Sequence, residues 1–282
     1  MKITHLLPLS VRKQIAKALG IDAIYARLNQ ADQENRLLRD YITEIDLLAS
    51  GESKTPDGLP FPPFKLLYLI AMTYDREWFF KTGTEGAATV RDLLKKNRIS
   101  METIGSLLDF GCGCGRVLRH WNSLPGTQVF GSDYNPELVE WCQKNLPFAT
   151  CKTNQLKPPL DFPSGSLDLI YAFSVFTHLT ETLQDDWIEE LHRVLSSEGL
   201  LIVTTHGNFY RKHLDEKNKV LFDQGRLVVL KGDKAGENVC ATYHPEKYMR
   251  EKFQRRFHIL DFIPEGARGN PRQDVWLMRK KS

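Results

Sequence analysis

Residues 107–121 read LLDFGCGCGRVLRHW: an apolar run stops at Asp109, and glycine follows at every second position, Gly111, Gly113 and Gly115. A glycine-rich turn between a strand and a helix lets a ligand lie close against the main chain and points N–H groups at it. The dinucleotide fingerprint G-x-G-x-x-G would need glycine at 111, 113 and 116, and position 116 is Arg. The spacing is D-x-G-x-G-x-G instead. Reactive side chains also stand after later apolar runs. Asp133 closes QVFGSD, and His178 and His206 follow LDLIYAF and GLLIVTT. An unshifted imidazole titrates near neutrality and so suits proton transfer.

These residues need strands to hold them. From Ser106 onward, LLDF, QVFGSD, FATCK, LDLIYAF, GLLIVTT, FHILDFI and DVWLMR read as strands, with helices NPELVEWCQKNL and TLQDDWIEELHRVLS between them. Alternation at this spacing predicts an α/β, doubly wound sheet, parallel through its first five strands. Three regions follow: an N-terminal helical segment over 1–50, a linker and helical lead-in over 51–104, and the α/β domain over 105–282. The linker SGESKTPDGLPFPP, at 50–63, is rich in Gly, Pro and Ser. An inserted hairpin is expected at about 219–242, with RLVVL and NVCATY joined by the turn-forming KGDKAGE. It could shape a pocket or simply extend the sheet. The aromatics of YDREWFF, at 74–80, could form a lid or a core face, and core is the reading for Phe79 and Phe80.

The chain has 282 residues, 41% hydrophobic and 26% charged, with a formal net charge of +3. That charge is too small and too scattered to point to nucleic acid. The five cysteines form no C-x-x-C, and Cys112 and Cys114 sit inside the glycine loop. This suits neither a disulfide framework nor a zinc site, and implies a reducing cytoplasm and no bound metal. The longest apolar run, LLYLIAM, is far shorter than the ~20 residues a spanning helix needs. Arg12, Lys13 and Lys17 interrupt the N-terminus, so no signal peptide is expected. That segment could form a basic amphipathic helix that touches anionic lipid, although packing on its own protein is the simpler reading.

The D-x-G-x-G-x-G spacing resembles motif I of the class I S-adenosylmethionine-dependent methyltransferases, and the likeness extends over about residues 60–282. It implies a Rossmann-like seven-stranded sheet with the last strand antiparallel, and S-adenosylmethionine as cofactor. In such a site Asp109 would hold the methionine ammonium, and Gly111 and Gly113 would let the cofactor lie against the backbone. Gly115 would let the next helix start close to the sheet. Asp133 would accept both ribose hydroxyls, and Tyr134 would cover the adenine. Asn154 and Gln155 would meet the adenine amino group, where most members carry an acid. Phe173 and Ser174 would line the sulfonium end. PFPPFKLLYLIAMTYDREWFFKTG, FSVFTHL, TTHG and QDVWLMRK look like bacterial members that accompany surface-polysaccharide synthesis, which implies a glycan-type or small-molecule acceptor.

Methyl transfer from a sulfonium is an in-line displacement, so the protein aligns the reactants and, for a hydroxyl acceptor, removes a proton. The strand ends offer Thr177, His178, Glu181 and His206, and the start of the last strand adds Arg272, Gln273 and Asp274. His178 and His206 are the expected general bases, unless they only hold a loop or bind the acceptor. His192 is expected to be at the surface or in packing. Two rival readings are a nicotinamide oxidoreductase, against which Arg116 counts, and a non-catalytic cofactor-binding scaffold. Finally, Ile21, Ile24, Leu28, Ala31, Asn35, Leu38, Ile42 and Ile45 form a heptad seam with Asn35 at an a position. With Arg27 facing Asp32 and Glu34 facing Arg39 across the seam, it predicts a parallel homodimer through residues 21–45.

Overall fold

A computed structural model describes residues 20–50, 55–269 and 272–282. The basic stretch ahead of residue 20 lies outside the described residues. The chain divides into two compact units between residues 53 and 54. In the first, helix α1 (Ile21–Ser50) contains no Pro or Gly to break it. Ile24, Leu28, Leu38, Ile42 and Ile45 of its seam are each more than half exposed.

The second unit is built on a seven-stranded sheet in the order β3-β2-β1-β4-β5-β9-β8. The strands are β1 (Ser106–Phe110), β2 (Gln128–Asp133), β3 (Ala149–Thr153), β4 (Leu167–Ala172), β5 (Leu195–Thr205), β8 (Phe257–Ile263) and β9 (Asp274–Lys280). β1 to β5 run parallel. β9 is antiparallel to both β5 and β8, so it lies inside the sheet and β8 forms the edge. The α/β doubly wound fold expected from the alternation is the one observed.

Both faces of the sheet are covered, which is why the parallel strands read as continuous apolar runs. Leu107, Leu169, Ile202 and Leu277 pack with Val90 and Leu94 of α3 (Arg76–Lys96) on one face. Leu108, Ile170, Leu201 and Met278 pack on the other with Trp187 and Leu191 of α5 (Glu181–Val194) and with Phe253 of α7 (Glu246–Phe253). Helix α4 (Pro136–Asn145) joins β2 to β3. The lead-in, including α2 (Phe64–Ala71), belongs to this same unit. A buried ion pair fastens it: Arg119 Nε donates to Asp57 Oδ2 at 2.8 Å, and Arg119 Nη2 donates to Thr55 Oγ1 at 2.7 Å.

Two local expectations are corrected. The basic segment after the glycine loop forms a single 3-10 turn, Leu118–Trp121, rather than an α-helix. Asn122, Ser123 and the Pro125-Gly126 pair stop it within a few residues. The start of the inserted hairpin is helical: α6 (Glu216–Asp223) is capped by Asp215, whose Oδ1 accepts the Asn218 N–H at 2.8 Å. The hairpin is confined to β6 (Val228–Leu230) and β7 (Ala241–Tyr243), an antiparallel pair. Among the described residues, no helix is long and apolar enough to cross a membrane.

Candidate functional site

Strand order reverses between β1 and β4, and ligands in doubly wound sheets bind beyond the carboxyl ends of the strands at such a point. A cavity of about 650 Å³ lies there. Asp109, Gly111, Gly113, Asp133, Tyr134, Asn154, Gln155, Phe173, Ser174, His178 and His206 all line it. Gly115 does not.

The loop after β1 is pinned to the end of β2 by its own main chain. The Gly111 and Cys112 N–H groups donate to Ser132 O at 2.7 and 3.0 Å. Gly113 N–H donates to Asp133 Oδ2 at 2.9 Å, and Asn135 N–H donates to Asp133 Oδ1 at 2.9 Å. Gly111 and Gly113 have φ of 82° and 55°, where a side chain is strained. A Cβ at Gly111 would also lie 2.3 Å from Val175 Cγ2, and one at Gly113 would lie 2.8 Å from Ile70 Cγ2. Gly115 faces α4 instead: a Cβ there would lie 2.4 Å from Leu146 Cδ1.

The two carboxylates differ in surroundings. Burial raises the Asp133 carboxyl above its usual range, against the lowering effect of N–H bonds from Asn135, Gly113 and Tyr134. Each carboxylate oxygen has two lone pairs, so Asp133 keeps acceptor capacity for a ligand diol. It does not cap α4; Asn135 does, its Oδ1 accepting Glu137 N–H at 3.0 Å. Burial pushes the Asp109 carboxyl up to about 7, against the lowering effects of the Tyr171 hydroxyl and nearby Arg116. Tyr171 is itself held by Trp121 Nε1, which donates to its oxygen at 2.9 Å. A buried carboxyl poised near neutrality is stabilised in its ionised form by a cation placed in the cavity, and an ammonium group meets that requirement.

On the wall after β3, Asn154 Oδ1 accepts Ser132 Oγ–H at 2.6 Å and Asn154 Nδ2 donates to Gln155 O at 2.7 Å. Tyr134 is partly exposed and packs under Gly236 of the β6–β7 connection. At the far wall Ser174 holds a left-handed φ of 59°. A closed ring supports it: Ser174 N–H donates to Thr204 Oγ1 (2.8 Å), Thr204 Oγ1 to Gln273 Oε1 (2.7 Å), and Gln273 Nε2 to Ser174 Oγ (2.9 Å). Gln273 thus joins the cavity from the start of β9.

The two histidines face each other with ring centroids 6.4 Å apart. His178 Nδ1 meets Cys240 O at 2.7 Å, and His206 Nδ1 meets Thr242 O at 3.2 Å. A carbonyl accepts only, so each Nδ1 carries the proton and each Nε2 is left with a lone pair. Burial lowers the His178 pKa, and the Cys240 carbonyl partly offsets that. His206 is driven to about 3 by burial and by His178, against a smaller raising effect of the Thr242 carbonyl. Of the other expected groups, Thr177 is buried with its Oγ1 3.3 Å from Ser174 Oγ. Glu181 instead accepts Tyr248 O–H at 2.5 Å, Arg272 pairs with Glu265, and Asp274 accepts Glu265 N–H. His192 Nε2 meets Lys281 O at 3.1 Å.

Trp78, one of the YDREWFF aromatics, lines the cavity, whereas Phe79 is buried in the core. Tyr171, which supports Asp109 from behind the cavity, is not singled out by the sequence: it sits inside an apolar strand, where only its hydroxyl sets it apart. Nor are the wall residues Ile70 and Met72, at the end of α2, and Gly236 to Val239 of the β6–β7 connection. Asn238 Nδ2 donates to Leu69 O at 2.7 Å, joining the insert to α2 across the mouth. Among the described residues, no group of three or more His, Cys, Asp or Glu side chains is arranged to hold a metal.

Residues 108–203 match the methyltransferase domain family. The chain is 27% identical over 153 residues to an uncharacterized protein of Rickettsia prowazekii, covering 52% of this chain and 56% of that protein. It is 27% identical over 158 residues to an uncharacterized methyltransferase of Oceanobacillus iheyensis, covering 54% and 69% respectively. The first of these matches therefore spans little more than half of the relative's length. Among solved structures, an S-adenosylmethionine-dependent methyltransferase from Mesorhizobium loti superposes with a TM-score of 0.53 at 17% identity, covering 68% of this chain and 98% of that one. One from Methanosarcina mazei gives 0.51 at 20%, covering 67% and 97%. A 1,6-didemethyltoxoflavin-N1-methyltransferase from Burkholderia thailandensis, with its acceptor and S-adenosylhomocysteine bound, gives 0.51 at 16%, covering 73% and 82%. At these identities the likeness is one of fold.

Proposed function

From a chain that carries a class I S-adenosylmethionine-dependent methyltransferase domain, with S-adenosylmethionine as its cofactor, we propose an enzyme that methylates a hydroxyl of a small-molecule or glycan-type acceptor. When bound, the cofactor supplies an electrophilic methyl on its sulfonium. Asp109 then holds the ammonium, Asp133 takes the ribose hydroxyls, and Gly111 and Gly113 let the cofactor lie against the loop. Tyr134, Asn154 and Gln155 flank the adenine, while Phe173 and Ser174 border the sulfur.

One observation carries the choice of oxygen. His178 lines the same cavity as Asp109 and Asp133, with its Nδ1 tied to Cys240 O at 2.7 Å and its Nε2 left with a lone pair. A hydroxyl must lose its proton as the methyl arrives, and a buried neutral imidazole is ready to take it. His206, with its pKa near 3, is too weak a base for that step and orients the acceptor instead. The resemblance to enzymes of surface-polysaccharide synthesis supports sugars or glycolipid intermediates as acceptors and a cytoplasmic location. The basic stretch ahead of residue 20 would then bring the enzyme to the membrane surface.

The exposed apolar seam of α1 supports the parallel homodimer through residues 21–45. Against a second copy each apolar side chain would leave water, with the Asn35 amides paired across the seam. Calorimetric titration with S-adenosylhomocysteine and with NAD tests the cofactor, and tight binding of NAD alone would refute the proposal. Product formation in a screen of nucleotide-sugars and glycans tests the acceptor. Light scattering on the full chain and on a chain starting at Lys54, where the second unit begins, tests the dimer: a monomeric full chain, or a dimeric short one, removes it.

A further inference from the structure

Gln273 stands just before β9 and is 3% exposed, yet it forms part of the cavity wall. β5 and β9 pair as far as Thr205 with Asp274, so the next residues, His206 and Gln273, leave the sheet side by side. The Gln273 carbonyl accepts Ala267 N–H at 3.0 Å, which holds its main chain in place. Neighbouring strands lie about 4.8 Å apart, so β9, three places from β1 and four from β2, begins roughly 14 to 19 Å from the strands that end in Asp109 and Asp133. Gln273 therefore stands beyond the groups assigned to the cofactor's ammonium and ribose, on the side of the two histidines.

The hydrogen-bonded ring around Ser174 fixes which way the amide faces. Thr204 Oγ1 accepts the Ser174 main-chain N–H, and its own hydrogen goes to Gln273 Oε1 at 2.7 Å. Gln273 Nε2 is thereby turned to Ser174 Oγ, to which it donates at 2.9 Å. An amide nitrogen carries two hydrogens, and among the described residues the second one meets no acceptor. Gln184, also buried, places both of its Nε2 hydrogens on carbonyls, those of Phe176 and Leu179. A donor left unpaired away from water is destabilising, so one kept on a cavity wall marks the place of a ligand's acceptor atom.

On the methyltransferase reading above, we propose that Gln273 selects oxygen over nitrogen as the atom that receives the methyl group. A hydroxyl oxygen has one hydrogen and two lone pairs. The proton goes to His178 Nε2. One lone pair forms the bond to the methyl carbon while the carbon–sulfur bond breaks and its electrons stay on sulfur. The second lone pair accepts from Gln273 Nε2. An amine has a single lone pair, which the attack consumes, and an ammonium has none. Either would set N–H against N–H and leave Gln273 unpaired, and a site built to donate a bond rejects a partner that cannot accept it.

The test uses the full chain, S-adenosylmethionine and a panel of nucleotide-sugars and glycans. Each sugar that is methylated is compared with the amino sugar bearing nitrogen at the methylated position, as UDP-glucosamine does for the 2-hydroxyl of UDP-glucose. The parent should form O-methyl product at least about 100-fold faster than N-methyl product. In Gln273→Glu the carboxylate can accept from both Thr204 and Ser174, so the ring survives, but it offers the acceptor no hydrogen. This variant should lower kcat on the hydroxyl by about tenfold or more and raise it on the amine, a change of preference that a structural role would not produce. Gln273→Met, which fills the space and donates nothing, should cost as much on the hydroxyl and gain nothing on the amine. Calorimetry at about pH 6.5, where the amine is an ammonium, gives a second readout on the chain saturated with S-adenosylhomocysteine. There the hydroxyl sugar should bind the parent at least about tenfold more tightly than its amino counterpart, and Gln273→Glu should reverse the order. Both variants should keep S-adenosylhomocysteine affinity within about twofold, as expected for distant sites. A parent indifferent to oxygen or nitrogen, or variants that keep its preference, would overturn the inference. So would a tenfold or greater loss of S-adenosylhomocysteine affinity in Gln273→Met, because the N–H would then serve the cofactor. Failure of S-adenosylhomocysteine to bind the parent would bring down the methyltransferase reading, and a panel with no methylated hydroxyl the choice of acceptor; this inference falls with either. O-methylation by a parent whose variants keep its preference removes this inference alone.

Discussion

The two ends of the cavity are built by different means. At the glycine loop, N–H groups of residues 111, 112 and 113 bond to the last two residues of β2. The remaining walls come from α2, from the β6–β7 connection and from the segments after β4 and β5, joined by bonds such as Asn238 to Leu69 O. Geometry held by main chain depends on where glycines fall and tolerates little change there. A wall assembled from loop side chains can vary without disturbing the strands beneath it, which is how one fold serves many acceptors.

Substitution at the cofactor end should have the largest effects on cofactor affinity. Gly113→Val places a Cβ 2.8 Å from Ile70 Cγ2 at a φ of 55°, so S-adenosylhomocysteine binding should fall below detection by calorimetry. Retained binding would mean that the loop is not the cofactor's floor. At the acceptor end the readout is turnover. On the true acceptor His178→Ala should lower kcat by about 10²- to 10⁴-fold, with cofactor affinity unchanged. His206→Ala should cost only about tenfold, because its depressed pKa suits orientation rather than proton transfer. Equal losses in the two variants would erase that distinction.

Asp133 ties the two kinds of construction together, since it both pins the loop and lines the cavity. Asp133→Ala should weaken S-adenosylhomocysteine by on the order of 2–4 kcal/mol, the scale of charge-assisted bonds to a buried carboxylate. Asn should rescue little. Both carboxylate oxygens accept main-chain N–H groups at 2.9 Å, and an amide nitrogen at either place can only donate. Unchanged affinity in a variant with an unaltered circular dichroism spectrum would take Asp133 out of the site.

The contrast also explains what the sequence disclosed. Alternation and the D-x-G-x-G-x-G spacing located the parallel strands and put Asp109, Gly111, Gly113 and Asp133 at their ends, because those features are local and periodic. The helix expected after Gly115 shrank to one turn, since Pro125-Gly126 follows too closely for an α-helix to develop. The inserted segment departs from expectation for a related reason: Asp215 caps a short helix, Glu216–Asp223, that runs into the start of the expected hairpin. Tyr171 and the α2 wall could not be found this way. Tyr171 lies in an apolar strand, and Ile70 and Gly113 are brought together by tertiary folding across 43 positions of chain.

The smallest effect expected is a pH dependence at the cofactor end. Asp109 is pushed up to about 7 chiefly by burial, with Tyr171 and Arg116 pulling down and Cys151 and Asp133 adding slightly to the rise. Below that value its carboxyl is protonated and offers an ammonium no charge; above it, the carboxylate does. A cation that binds the ionised form releases the proton, so affinity should rise with pH through about 7. Between pH 6 and 7.5 the dissociation constant of S-adenosylhomocysteine should fall by roughly tenfold, until the ligand's own amino group begins to lose its proton above about pH 8. Calorimetry in buffers of different ionisation enthalpy should also detect proton release at pH 6.5. Tyr171→Phe sharpens the test, because removing the donor to Asp109 should move the midpoint to higher pH and weaken binding at neutrality. A flat profile in the parent would show that Asp109 is ionised throughout, or that the ammonium is held elsewhere. A midpoint unmoved by Tyr171→Phe would assign the titration to Asp133, whose carboxyl burial also raises.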